Sequence, residues 1–257
     1  MTGRVQIVVF MRHGIAVHNV RDSRNHSAPD HRDVRFWDPP LVYQGVVRAV
    51  EAGIHVQRWM QEHTKLRRIE LFVTSPLTRC IQTTTLAFLR GNDYEHPPPP
   101  IVCVEDVREA YGIYYPDKRR EKSKLKVSAA DLVAIRCHRV VFTDVAFVKS
   151  VWPQVEFSES MTEHDDDWNE DRRENFADVN ARVDRFLAWL VHRPESQIVV
   201  VTHGVWMESL FRVHCSTALR EDQRVHNCDA FACEIVSKDG VFQQIGRTQH
   251  ISGFSHH

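Results

Sequence analysis

A continuously apolar run, Ile7 to Met11, stops abruptly at Arg12-His13-Gly14. The run is short, rich in β-branched residues and bounded by a charged pair and a glycine, so Val5 to Met11 reads as a buried β-strand. In an open α/β sheet, ligands bind in the crevice outside the carboxyl ends of the strands. A cation and an imidazole at such an end are poorly placed for a core and well placed for an anion.

Two further strands end in the same manner. Ile69 to Thr74 is followed by Ser75-Pro76, read as the N-cap and first position of a helix running to Leu89. That helix carries Arg79 in its first turn, where a cation opposes the helix dipole unless an anion shares the site. Gln197 to Val201 is the strongest buried strand and leads through Thr202-His203-Gly204 into a helix over 205–214. Asp38-Pro39-Pro40-Leu41 reads as the start of a helix reaching His63, with Val47, Val50, Ile54 and Trp59 at helical spacing and Gly45 allowing close packing in its first turn. Glu174 to His192 is the clearest amphipathic helix, its apolar stripe made by Phe176, Val179, Val183, Phe186, Leu187 and Leu190. Pro97 to Pro100 read as a stiff connector into a strand over 101–105, and strands over 231–236 and 241–245 flank a turn at Lys238-Asp239-Gly240. The basic run 117–124 and the acidic run 163–168 read as solvated segments. Residues 127–150 turn apolar without a clean period, within a single domain spanning 1–257.

Composition narrows the function. The net charge of −1 gives no bulk attraction to nucleic acid or to anionic membrane, so any anion binding must be local. No apolar run reaches the roughly 20 residues of a membrane span, which with the missing leader pattern predicts a cytoplasmic chain, with the nucleus as alternative. The six cysteines include no Cys-x-x-Cys pair, arguing against a zinc site or a disulfide framework. Monomer and homodimer are both compatible with the chain.

A parallel sheet brings the three strand ends to one rim, where Arg12, His13, Arg79 and His203 converge with helix N-termini that favour negative charge. The natural guest is a phosphoryl group. Met11-Arg12-His13-Gly14 with Asn19, Ser75-Pro76-Leu77-x-Arg79, Arg108-Glu109 and Thr202-His203-Gly204 together resemble the histidine phosphatase superfamily, the phosphoglycerate mutase-like proteins. Arg12-His13-Gly14-x-x-x-His18-Asn19, Asp117-Lys118-Arg119-Arg120, Trp152-Pro153-x-Val155-x-Phe157 and Asn227-Cys228-Asp229 are similar to its plant and fungal branch.

The resemblance implies a three-layer α/β/α sandwich with a mostly parallel central sheet, and a metal-independent, cofactor-free phosphatase acting on a small phosphorylated metabolite. His13 would be the nucleophile, forming a phosphohistidine. Arg12, Arg79 and His203, with Asn19 and the backbone at Gly14 and Gly204, would hold the phosphoryl oxygens. Glu109 would protonate the leaving oxygen and then deprotonate water. Its spacing of three residues before Gly112, where mutases place four, favours hydrolysis over a phosphomutase. Arg119 and Arg120 would reach a second anionic group, and residues 127–150 would be an insertion relative to the family. A non-catalytic phosphate- or protein-binding module is the alternative outside enzymes.

Overall fold

The computed structural model describes residues 3–89, 99–125, 155–220 and 222–252. The insertion expected at 127–150, Trp152-Pro153, and Pro97 with Pro98 lie outside the described residues.

Among the described residues, seven strands form one sheet: β1 (Arg4–Arg12), β2 (Leu71–Thr74), β3 (Ile101–Cys103), β4 (Val155–Phe157), β5 (Gln197–Thr202), β6 (Ala230–Lys238) and β7 (Val241–Ser252). Their order across the sheet is β4-β3-β2-β5-β1-β6-β7. The first five are mutually parallel, and β6 and β7 close the β1 edge in antiparallel fashion.

Among the described residues, the two faces of the sheet are covered by α1 (Tyr43–His63), α2 (Thr78–Thr84), α3 (Phe176–Val191) and α4 (Gly204–His214). Strand alternation divides the core accordingly. Val8 and Phe10 of β1, with Ile198 and Val200 of β5, pack against Val183, Phe186, Trp206 and Phe211 of α3 and α4. Val9 and Met11, with Val199 and Val201, pack against Ala49, Ala52, Val56 and Met60 of α1. Both faces are buried, which is why β1 and β5 read as unbroken apolar runs. The result is the expected three-layer, mostly parallel α/β architecture.

Register places the site. Arg12 stands beside Thr202, and Val201 pairs with both Met11 and Thr74. The carboxyl ends of β1, β5 and β2 are therefore level, and His13, His203 and Ser75 emerge side by side.

Three local expectations are corrected. Helix α1 starts at Tyr43, and its buried stripe is Val46, Ala49, Ala52, Val56 and Met60 rather than the stripe through Val47, Val50 and Ile54; Ile54 is exposed. Small residues face the sheet here because the backbones approach closely: a Cβ on Gly45 would lie 2.0 Å from the Ile15 carbonyl oxygen. Helix α2 begins at Thr78, not Pro76, and its cap comes from Asp38, whose Oδ1 accepts from the Thr78 amide at 2.8 Å. Beyond Thr84 the chain continues as a π-helical turn, Thr85–Leu89. In α3, Asn175 and Asp178 form a capping box, and this start turns Phe176 outward to 45% exposure.

The charged runs are less solvated than expected. Asp117 and Arg119 are buried, and Asp165, from the middle of the acidic run, forms a bidentate pair with buried Arg108 at 2.7 and 2.8 Å. No helix among the described residues is long and apolar enough to cross a membrane.

Candidate active site

His13 is the first residue beyond β1, and its amide donates to the Thr202 carbonyl of β5 at 3.0 Å. Its ring is 1% exposed. Nδ1 lies 2.7 Å from the Gly14 carbonyl, and Arg79 Nε donates to Nε2 at 3.2 Å. A carbonyl can only accept and a guanidinium can only donate, so the neutral ring carries its proton on Nδ1 and keeps the lone pair on Nε2. Burial, followed by the charges of Arg79 and Arg12, holds the His13 pKa well below the usual imidazole value.

The loop bearing this ring is fixed from two sides. Thr83 Oγ1 in α2 accepts from the Gly14 amide at 3.0 Å. Asn227 Nδ2 donates to the carbonyls of His13 and Gly14 at 3.0 and 3.3 Å. Asn227 has no expected role in the sequence reading beyond its place in a branch motif. The turn that delivers it depends on left-handed backbone at Cys228, φ +66°, from which the amide donates to the Arg12 carbonyl at 3.1 Å.

Arg12 Nη1 donates to the Val225 carbonyl at 2.6 Å, while its Nε is buried with no hydrogen-bond partner among the described residues. Gly204 makes this position accessible, since a Cβ there would sit 3.3 Å from both Cζ and Nε of Arg12. Arg79 is fully engaged: Nη1 donates to the Pro116 carbonyl, and Nη2 to Asp117 Oδ1 at 3.0 Å and to His203 Nδ1 at 3.2 Å. Asp117 in turn pairs with Arg173 at 3.0 Å.

Because Arg79 donates to Nδ1 of His203, the neutral ring of His203 carries its proton on Nε2 and donates it to Ser75 Oγ, 2.8 Å away. Ser75, expected to cap a helix, thus orients a histidine. The His203 and His13 rings lie 5.1 Å apart. Burial, then Arg79 and His13, also depress the His203 pKa well below its usual value.

Glu109 reaches the same place from the loop after β3. Its Oε1 accepts from the Ala110 amide at 2.9 Å, and its Oε2 faces the Val205 amide at the start of α4 at 3.4 Å. Burial, then the Asp117 carboxylate, pushes its pKa upward against the opposing pull of the Ala110 amide, Arg12 and Arg79. A carboxyl so placed favours holding a proton.

Not every expected contact is assembled. Arg119 is buried, its Nη1 and Nη2 donating to the carbonyls of Arg120, Thr162, Glu163 and His164, while Nε pairs with Glu105 at 2.6 Å. These donors tie down the 162–164 segment. Arg120, half-exposed, pairs through Nε with Asp38 at 3.3 Å. Asn19 donates from Nδ2 to His18 Nε2 at 3.1 Å, and its Oδ1 accepts from the Ala16 amide at 3.0 Å.

The chain is similar to several known proteins. The family model described as "Histidine phosphatase superfamily (branch 1)" matches residues 152–247, which include His203 and Asn227. Similarity to two Arabidopsis thaliana proteins extends over nearly the whole chain. A "Phosphoglycerate mutase-like protein" is 24% identical over 97% of this chain and 92% of its own. "Phosphoglycerate mutase-like protein 1" is 28% identical over 91% and 80%. The fold is shared with a phosphoglycerate mutase from Bacillus anthracis, at a TM-score of 0.54 and 17% identity over 94% of this chain and 92% of the other. A mycobacterial hydrolase has the same TM-score of 0.54 at 19% identity, covering 96% and 89%. With its strand-end histidines in place, the chain is similar to the histidine phosphatase superfamily over residues 152–247 and to phosphoglycerate mutase-like proteins over nearly its whole length.

Proposed function

We propose that this protein is a metal-independent phosphatase that hydrolyses a small phosphomonoester through a phosphohistidine on His13. The observation that carries the reading is the enforced tautomer of His13, which leaves Nε2 as a buried, unprotonated nucleophile beside Arg12 and Arg79. In the first half-reaction, Nε2 attacks phosphorus and the bond to the leaving oxygen breaks as Glu109 supplies that oxygen with a proton. In the second, the Glu109 carboxylate takes a proton from water, whose oxygen attacks phosphorus while the N–P bond breaks and phosphate departs. Arg12 and Arg79 supply the positive charge that a metal supplies elsewhere.

Hydrolysis is favoured over mutase chemistry by the commitments of Arg119 and Arg120. A mutase must retain a doubly phosphorylated intermediate, and the two arginines expected to hold its second anion are bound to carbonyls and to Asp38.

The test is hydrolysis of p-nitrophenyl phosphate, then of a panel of phosphometabolites, in the presence of chelator, by the parent and by His13→Ala. The expected result is chelator-resistant turnover by the parent and a loss of roughly 10⁴-fold or more in the variant. Equal rates in the two proteins would remove His13 from the mechanism, and a parent inactive on every substrate would favour a binding module.

A further inference from the structure

Next to the nucleophile lies a histidine to which the reading above gives no role. His18, on the turn Val17–Asn19, packs its ring 6.1 Å from that of His13 and is 8% exposed. The orientation of Asn19 is set by the Ala16 amide, which donates to Oδ1, so Asn19 Nδ2 must donate to His18 Nε2. The proton of neutral His18 is therefore on Nδ1. That Nδ1 is buried and has no hydrogen-bond partner among the described residues.

On the other side of His18, His31 packs at 5.5 Å and donates from Nε2 to the His18 carbonyl at 3.1 Å, fixing the turn without touching Nδ1. Burial, followed by Arg79, His31 and Arg12, holds His18 neutral, so it offers a hydrogen bond without adding charge. Arg12 Nε shares this condition: a buried N–H donor with no acceptor among the described residues. Buried donors left unsatisfied in a folded protein call for an explanation, and two of them flanking one nucleophile have a common one. The missing group must bring several acceptors and no competing donors, which is the character of a phosphoryl group.

Resting on the phosphatase reading, we propose that His18 contacts the transferred group directly, its Nδ1–H donating to a non-bridging phosphoryl oxygen that Arg12 Nε also serves. The donation expected from Asn19 is passed back one residue: Asn19 fixes the tautomer, and His18 delivers the proton donor.

The test is calorimetric titration of the parent, His18→Phe and His18→Gln with inorganic phosphate in chelator, together with the KM for p-nitrophenyl phosphate. His18→Phe is expected to weaken phosphate by about tenfold or more and to raise KM. His18→Gln, whose amide offers an acceptor to Asn19 and an N–H to the ligand, is expected to recover most of the affinity. Proton NMR of the parent provides a readout independent of any variant's folding: the Hδ1 resonance of His18 is expected to move downfield as phosphate is added. Parent-like phosphate affinity in His18→Phe, or an Hδ1 resonance that ignores phosphate bound by the parent, would overturn the assignment of His18 alone. A parent that binds no phosphate would instead overturn the phosphoryl site on which it rests.

Discussion

Arg79 Nε and His13 Nε2 lie 3.2 Å apart, with the guanidinium donating into the lone pair of the nucleophile. The contact keeps the imidazole unprotonated and must be exchanged for a contact to phosphate when substrate enters. Because burial and Arg79 both depress the His13 pKa, the acid limb of kcat/KM is expected well below the usual imidazole value of about 6.5. Arg79→Met removes one lowering influence, so any residual activity should show its acid limb displaced upward. The variant also leaves Asp117 with Arg173 as its remaining arginine, at a cost of about 1.5–3 kcal/mol. Rate measurements between pH 4 and 9, with unfolding of both proteins, check the two effects; an acid limb at the same pH in both would remove Arg79 as the cause.

Glu109 predicts an effect of opposite sign. Its pKa is raised, so its protonated form, required for the acid step, disappears as pH rises through the elevated value. Glu109→Gln should abolish that limb and lower kcat by roughly 10²–10⁴-fold for an alkyl phosphate, with a smaller loss for p-nitrophenyl phosphate, whose leaving group needs little help. Stability follows from the same shift. A group with a raised folded-state pKa contributes stability below its unfolded pKa and loses it as pH passes the folded one, so the parent should lose stability relative to Glu109→Gln on going from acidic to neutral pH. A melting-temperature difference that is flat with pH would contradict this.

Arg119 should behave as a structural residue. Its guanidinium holds four carbonyls and Glu105, so Arg119→Met is expected to destabilise the fold by about 3–5 kcal/mol. At temperatures where the variant is folded, inhibition by inorganic phosphate should match the parent. A large rise in KM for a substrate with two anionic groups, without loss of stability, would restore the role expected from its position in the sequence.

Gly204→Ala isolates the approach of Arg12. The new Cβ would press on the Arg12 guanidinium at 3.3 Å in backbone that needs no special conformation. We expect roughly tenfold weaker phosphate binding, on the order of one charge-assisted hydrogen bond, with a melting temperature close to that of the parent. Unchanged affinity would show that Arg12 adjusts without consequence.

The convergence of Arg12, His13, Arg79 and His203 was legible because each follows a buried strand, and parallel pairing brings strand ends to one edge. The partners of those residues were not legible. Arg108 with Asp165, Arg79 with Asp117 and Asn227 with the His13 carbonyl join segments 38 to 214 residues apart, and a buried ion pair or hydrogen bond imposes no local period. Arg119 illustrates the limit: a run of basic residues looks the same whether it faces solvent or clasps carbonyls. In α1, the small residues Ala49, Ala52 and Gly53 outweighed the larger ones in choosing the buried face, because closeness of approach mattered more than side-chain volume.

The cap that Asp38 places on Thr78 spans 40 residues of sequence. A helix capped by its own neighbours can wind early in folding, whereas α2 must await the docking of a distant loop. The segment carrying Arg79 is therefore expected to order late and together with that loop. Substitutions in the 20–37 stretch that leads into Asp38 would therefore alter how readily the first turn of α2, which carries Arg79, stays wound.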